Sequence, residues 1–168
     1  MNHPVIKITV KGFGTMTAEL YPEFAPLTVA NFVKLAKESF FDGLIFHRVI
    51  SGFMLQGGGY NEQMEEKHTA PIRGEFKANG FAQNTLKHTR GVLSMARTSD
   101  PNSASSQFFV MHQAAPYLDG QYAAFGKVID GDAIIDRIAN VHTGNFGFYM
   151  QDVPRTPVVI ETIEEIKE

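Results

Sequence analysis

The sequence predicts a mainly β fold: about eight strands closed into a barrel, with two α-helices. Three observations carry this. Apolar residues recur mostly at every second position and in short runs. Turns containing glycine separate many of the runs. Only two stretches carry an apolar stripe at helical spacing instead. Many short strands joined in this way argue for a sandwich or a barrel, and a closed barrel leaves no strand edge exposed.

In order along the chain, residues 5–10 (VIKITV) alternate as a strand, Lys11 to Gly14 form a turn, and 15–20 return as the second arm of a hairpin. The spacing then predicts a helix over 26–39. Val29, Phe32, Val33 and Ala36 share one face, and Pro26 suits a first helical turn, where a missing N–H costs little. Further strands are expected over 45–50, 53–56, 91–97, 107–111 and 123–129. A second helix is expected over 131–139, with Ile134, Ile135 and Ile138 as its stripe, and a last strand over 157–163. Residues 57–84 and 142–155 show little periodicity and read as long irregular segments, which in compact domains usually serve function.

Composition narrows the chemistry. A chain of 168 residues is the length of one domain, and 43% apolar residues can build a core without staples. With no cysteine there is no disulfide, thiolate metal site or cysteine nucleophile. The net charge of -3 lacks the basic surplus of a nucleic-acid binder. The opening MNHPVIKITV is not a secretory signal, and no apolar run approaches the roughly 18 residues of a membrane span, so a cytosolic protein is expected. Fourteen phenylalanines without one tryptophan supply either a core or a dry pocket.

Motifs for phosphate loops, dinucleotides, HExxH zinc, EF-hands and nucleophile elbows are absent, and the six histidines are scattered without metal-ligand spacing. No metal or cofactor is expected. A hydrolase built from Ser94 or another serine with a distant histidine has no motif behind it. Three stretches do carry information. In FHRVISGFMLQGG, Arg48 alternates with Phe46 and Ile50, and a guanidinium in that setting needs a partner or a cleft. The others are LSMAR…SSQFFV and YLDGQYAAFGKV. Taken singly, they read as core strands and an aromatic turn.

Together, in this order and spacing, the three blocks resemble the signature blocks of the cyclophilin family of peptidyl-prolyl cis-trans isomerases. PLTVANFVKLA looks like the family's first helix. The GGGYNEQM and HTGNFGFYMQDVPRTPVVI segments are most similar to the small cytosolic cyclophilins of bacteria. The resemblance implies an eight-stranded antiparallel barrel capped by two helices, and Xaa-Pro isomerisation in peptides and unfolded chains. By motif, Arg48 is the implied catalytic residue. Phe53, Met54, Phe109 and Leu118 are implied for the proline pocket, and Gln56, Ala96, Arg97 and Gln107 for the groove that takes the flanking peptide. Tyr117 and Tyr122 are implied at the rim, with His47 in support. No cofactor is implied, and a monomer is expected.

Four positions depart from the familiar eukaryotic pattern. Tyr117 stands where cyclosporin-sensitive members carry Trp, so weak cyclosporin binding at most is expected. Tyr122 replaces a frequent His, Ser51 a frequent Pro, and Arg97 an Asn. The alternative reading is a module that grips proline-containing segments as a chaperone, with catalysis incidental.

Overall fold

The computed structural model describes residues 3–147 and 150–166. Strands β1 (Val5–Val10) and β2 (Gly14–Leu20) form the expected hairpin, followed by α1 (Pro26–Lys37). Next come β3 (Leu44–Ile45), β4 (Arg48–Ile50), β5 (Met54–Gly57) and β6 (Tyr60–Asn61). Then follow β7 (Val92–Met95), β8 (Phe108–Met111), β9 (Ala124–Asp130) and α2 (Asp132–Ala139). The described chain ends with β10 (Thr143–Phe146), β11 (Met150–Pro154) and β12 (Ile160–Ile166).

Eight of these strands make one antiparallel sheet, in the order β12-β1-β2-β9-β7-β8-β5-β4. It curls into a half-barrel, more open than the closed barrel expected. Its two end strands share no ladder. Among the described residues the seam is spanned by an Ile45–Val159 bridge and by single bonds such as Phe46 N–H to the Val158 carbonyl at 3.0 Å. The reason lies in the run 45–50, which is not one strand. The chain leaves the ladder at Phe46 and His47, so β3 pairs with β6 and β4 with β5. At Gly57 even a Cβ would come within 2.7 Å of the Ile45 carbonyl, so only glycine lets the two segments approach this closely.

Residues 142–155, expected to be irregular, contain the β10–β11 hairpin, which packs beside β4. Its strands are half-buried or exposed apart from Val153 and Pro154, which are buried and next to each other in the chain, so no buried face imposes an alternation on the sequence. Two residues of that stretch, Phe148 and Tyr149, lie outside the described residues, as do Met1 and Asn2 of the opening decapeptide. The 57–84 segment is irregular as expected, apart from β6 and a 3-10 turn at Lys77–Asn79.

The N-terminus of α1 has no local side-chain cap, since Ala25 stands at the N-cap. Glu75, almost fully buried, reaches across instead. Its carboxylate accepts from the Leu27 and Thr28 amides at 3.1 and 2.7 Å and from the Thr28 hydroxyl at 2.7 Å. Those are orphan donors of a first helical turn, and a negative charge there also suits the helix dipole.

The phenylalanine question resolves both ways. Phe32, Phe41, Phe108 and Phe125 pack ring against ring at 5.0–5.7 Å inside the half-barrel, with Phe46 beside Phe108. A second apolar layer lies on the other face of β5, β7, β8 and β9. It contains Met54, Val92, Phe109, Met111, Leu118 and Ala124, with Phe53 and Tyr122 packed against them. Strand β8 (FFVM) is therefore buried on both faces, Phe108 in the core and Phe109 in the outer layer. Among the described residues no helix is long and apolar enough to cross a membrane.

Candidate functional site

Sheet register sets a row of side chains across the outer face. Arg48 of β4 pairs with Gln56 of β5, Gln56 with Phe109 of β8, and Phe109 with Ser94 of β7. Directly opposed residues on one face stand about 4.5–5.5 Å apart, so the row is a contact sequence. The exposed Arg48 donates from Nη1 to Gln56 Oε1 at 3.4 Å, and Gln56 Nε2 donates to Gln107 Oε1 at 3.0 Å. This chain of amides leaves the guanidinium at the edge of the outer apolar layer, with donors to spare among the described residues.

Beside it opens a cavity of about 160 Å³, lined by Arg48, Phe53, Met54, Gln56, Ala96, Arg97, Phe109, Leu118 and Tyr122. That volume is well below the roughly 300–1,000 Å³ of sites that take drug-sized ligands, and suits one small ring. Gln107 does not line it. It borders an adjoining polar cavity of about 410 Å³, shared with Gln56, Ala96 and Arg97. Tyr117 is 70% exposed and stands off the cavity, its ring 6.1 Å from that of Phe53.

Two walls are braced from behind. The Phe109 ring stacks on His88 and meets Tyr122 edge-on. Asp119 accepts from the His88 amide at 2.7 Å and faces its Nδ1 at 3.1 Å, so the ring proton lies on Nδ1. Nε2 then accepts from the Ser94 hydroxyl at 2.8 Å. Serine, histidine and aspartate thus stand in line, the arrangement a hydrolase would need. However, Ser94 is 0% and His88 1% exposed, so no substrate reaches the hydroxyl. Burial lowers the His88 pKa and outweighs the Asp119 bond, which raises it.

The second wall is Arg97. Its guanidinium lies between the Phe76 and Tyr122 rings, at 4.7 and 4.6 Å from their centroids, and donates to the Gln121 and Thr98 carbonyls at 2.7 and 3.0 Å. Phe76 and Glu75 lie in the irregular stretch, and nothing in their sequence surroundings marks them. Their partners are 21–48 residues away.

His47 lies behind Arg48, 5% exposed, with its ring 4.6 Å from that of Tyr60. It makes no hydrogen bond to Arg48. Desolvation, helped by the Arg48 charge, pushes its pKa down to about 4, so the ring is neutral near pH 7. With Arg48, Met150, Gln151 and Asp152 it lines a separate hollow.

The family model described as "Cyclophilin type peptidyl-prolyl cis-trans isomerase/CLD" matches residues 5–165. A peptidyl-prolyl cis-trans isomerase of Acinetobacter baylyi is 46% identical, over 90% of this chain and 80% of its own length. Peptidyl-prolyl cis-trans isomerase B of Escherichia coli is 42% identical, over 89% of this chain and 93% of its own. The crystal structure of a cyclophilin type peptidyl-prolyl cis-trans isomerase from Cryptosporidium parvum superposes with a TM-score of 0.80 at 26% identity, covering 99% of both chains. The same protein in the presence of the dipeptide Ala-Pro gives 0.78 at 28% identity, covering 98% of this chain and 99% of its own. With a family model matching residues 5–165 and relatives 46% and 42% identical over 90% and 89% of its length, the chain belongs to the cyclophilin-type peptidyl-prolyl cis-trans isomerases.

Proposed function

We propose that this chain rotates Xaa-Pro bonds of peptides and unfolded chains between cis and trans, with Arg48 as its catalytic residue and the 160 Å³ cavity as its proline pocket. One observation carries the reading: the Arg48 guanidinium opens onto the same small cavity as Phe53, Met54, Phe109 and Leu118. In this reading Gln56, Ala96, Arg97 and Gln107 hold the flanking peptide backbone, Tyr122 forms the rim with Tyr117 beyond it next to Phe53, and His47 supports Arg48 as a neutral wall.

The chemistry asks for no more than this. The barrier to rotation is amide resonance, about 18–20 kcal/mol. No bond forms or breaks, so neither nucleophile nor proton shuttle is required, and the mechanism calls for no cofactor. In the twisted transition state the prolyl nitrogen loses conjugation and regains a lone pair. A donor aimed at that nitrogen stabilises the twisted amide over either planar form, and this difference accelerates the step. Uncatalysed isomerisation takes tens to hundreds of seconds. Reaching about 10³ per second needs roughly 10⁵-fold, or about 7 kcal/mol. By analogy with oxyanion-hole donors, one placed donor supplies about 2.7–4 kcal/mol. The rest is assigned to holding the proline ring still while the acyl side turns.

The Ala-Pro dipeptide named with the Cryptosporidium structure supports proline-containing peptides as ligands. Tyr117, with no indole N–H, supports weak cyclosporin binding at most. A monomer in the cytosol completes the proposal, to be checked by sedimentation and cell fractionation. The decisive test compares wild type with Arg48→Ala on a short Xaa-Pro peptide. The variant is expected to fold and to lose at least about a hundredfold in kcat/KM. Near-wild-type turnover would overturn the role of Arg48.

A further inference from the structure

We propose that His112, braced by Asp136 of α2, is a positioning residue that fixes the Gly52–Phe53 segment of the β4–β5 turn and thereby the Phe53 wall of the pocket; this rests on the pocket reading above.

The turn from Ile50 to Phe53 is closed by the Phe53 N–H bonding the Ile50 carbonyl at 3.0 Å. Gly52 sits in it at φ +83°, a conformation that suits glycine. Residue 112 grips this turn twice. The Gly52 N–H donates to the His112 ring at Nδ1, 2.8 Å away, and the His112 backbone N–H donates to the Phe53 carbonyl at 2.9 Å. A ring nitrogen that accepts carries no proton, so the His112 proton lies on Nε2 and is donated to Asp136 Oδ1 at 3.0 Å.

Asp136 is itself held. Both its oxygens accept from Arg90, at 2.9 and 3.0 Å, and Arg90 also donates to the His112 carbonyl at 3.2 Å. The Arg90 bond, with His112 adding to it, lowers the Asp136 pKa, so the acceptor is a carboxylate near pH 7. Asp136 of α2, Arg90 just ahead of β7 and His112 just past β8 therefore converge on one turn. The sole side chain this turn sends into the cavity is Phe53.

A wall that touches the proline ring equally in planar and twisted states contributes uniform binding. Its loosening raises KM and leaves kcat in place. General loss of stability does the opposite, lowering the active fraction and so the apparent kcat at constant KM. Two substitutions separate these. The Oδ1 of asparagine stands as far along the side chain as Nδ1 of histidine, so His112→Asn keeps an acceptor for Gly52. His112→Leu removes it, and both lose the Asp136 bond.

His112→Leu is expected to raise KM about fivefold with kcat within about twofold, while His112→Asn changes KM less than about twofold. In the leucine variant the Gly52 amide proton should move upfield. Equal KM changes in the two variants, a fall in kcat at constant KM, or an unmoved Gly52 amide would each overturn the proposal. Asp136 is half exposed, so Asp136→Ala offers a variant that folds even if the leucine one does not. It should raise KM in the same direction and move the His112 ring-nitrogen resonances towards a mixture of tautomers. Unmoved nitrogens would again refute the brace. The two resonance readouts need no turnover, so a wild type inactive on proline peptides would remove the pocket reading while they still judge the brace.

Discussion

A lysine at position 48 would bring the same charge and a different shape. Its ammonium is a point charge on a flexible stem, whereas guanidinium presents a planar fork that one bond to Gln56 already orients. If the donor must be aimed at a nitrogen that becomes basic only halfway through rotation, charge alone does not suffice. Arg48→Lys should therefore stay at least about tenfold below wild type in kcat/KM, and equal rates would refute the geometric role. A guanidinium does not deprotonate in proteins, and His47, with its pKa near 4, is neutral across the working range. We therefore expect kcat to vary less than about twofold between pH 6 and 8. A bell-shaped kcat profile there would point to acid–base chemistry instead. At this scale legibility divides by range. Arg48, Phe53, Gln56 and Phe109 stand in recognisable blocks, whereas Phe76 under Arg97 and Asp136 behind His112 act across 21 and 24 residues and leave no local trace.

Strand β8 shows why pattern alone could not place the site. Alternation is legible where one face is wet, as in β1 and β2, and both of those were recovered almost to the residue. In FFVM both faces are dry, so the run announces burial without saying which phenylalanine faces the core and which the pocket. Helix α1 was legible from its stripe and Pro26, but its cap was not, because Glu75 lies 47 residues away from Thr28. That carboxylate also fixes the neighbour Phe76 beneath Arg97, coupling a helix end to a pocket wall. Glu75→Ala strands two amides and a hydroxyl in a buried place. Losing the cap and leaving one such group unsatisfied is expected to cost about 3 kcal/mol, read as a Tm lower by about 6–12 °C. Glu75→Gln keeps one acceptor oxygen and should lose about half as much. A Tm for Glu75→Ala within 2 °C of wild type, on the scale of about 2–4 °C per kcal/mol, would show that α1 caps itself.

The whole molecule is a half-barrel whose eight main strands could be counted from sequence, while its closure could not. The seam depends on how Phe46, Val158 and their neighbours meet across more than a hundred residues, and periodicity is blind to that. Around this frame His47 behind Arg48 and His88 behind Phe109 are buried and neutral, and both titrate below the ordinary range because burial opposes their charge. The consequence for stability has a definite sign. Between about pH 4 and 6.5 the unfolded chain binds a proton at position 47 that the folded chain does not. Acid in that window therefore favours unfolding, and the full contribution is present only above pH 6.5. For His47 the loss reaches about 3 kcal/mol near pH 4, and His88 adds in the same direction. Carboxylates with lowered pKa, such as Glu23 and Asp136, lose their contribution only at lower pH, so the histidine window comes first on acidification. The Tm should be level from pH 7 to 8 and fall between 6.5 and 4. His47→Gln, which cannot charge, should remove about 6–12 °C of that fall, whatever it costs at pH 7. If wild type and variant lose the same number of degrees between pH 7 and 4, His47 is charged or solvated in the fold and is not the neutral wall behind Arg48.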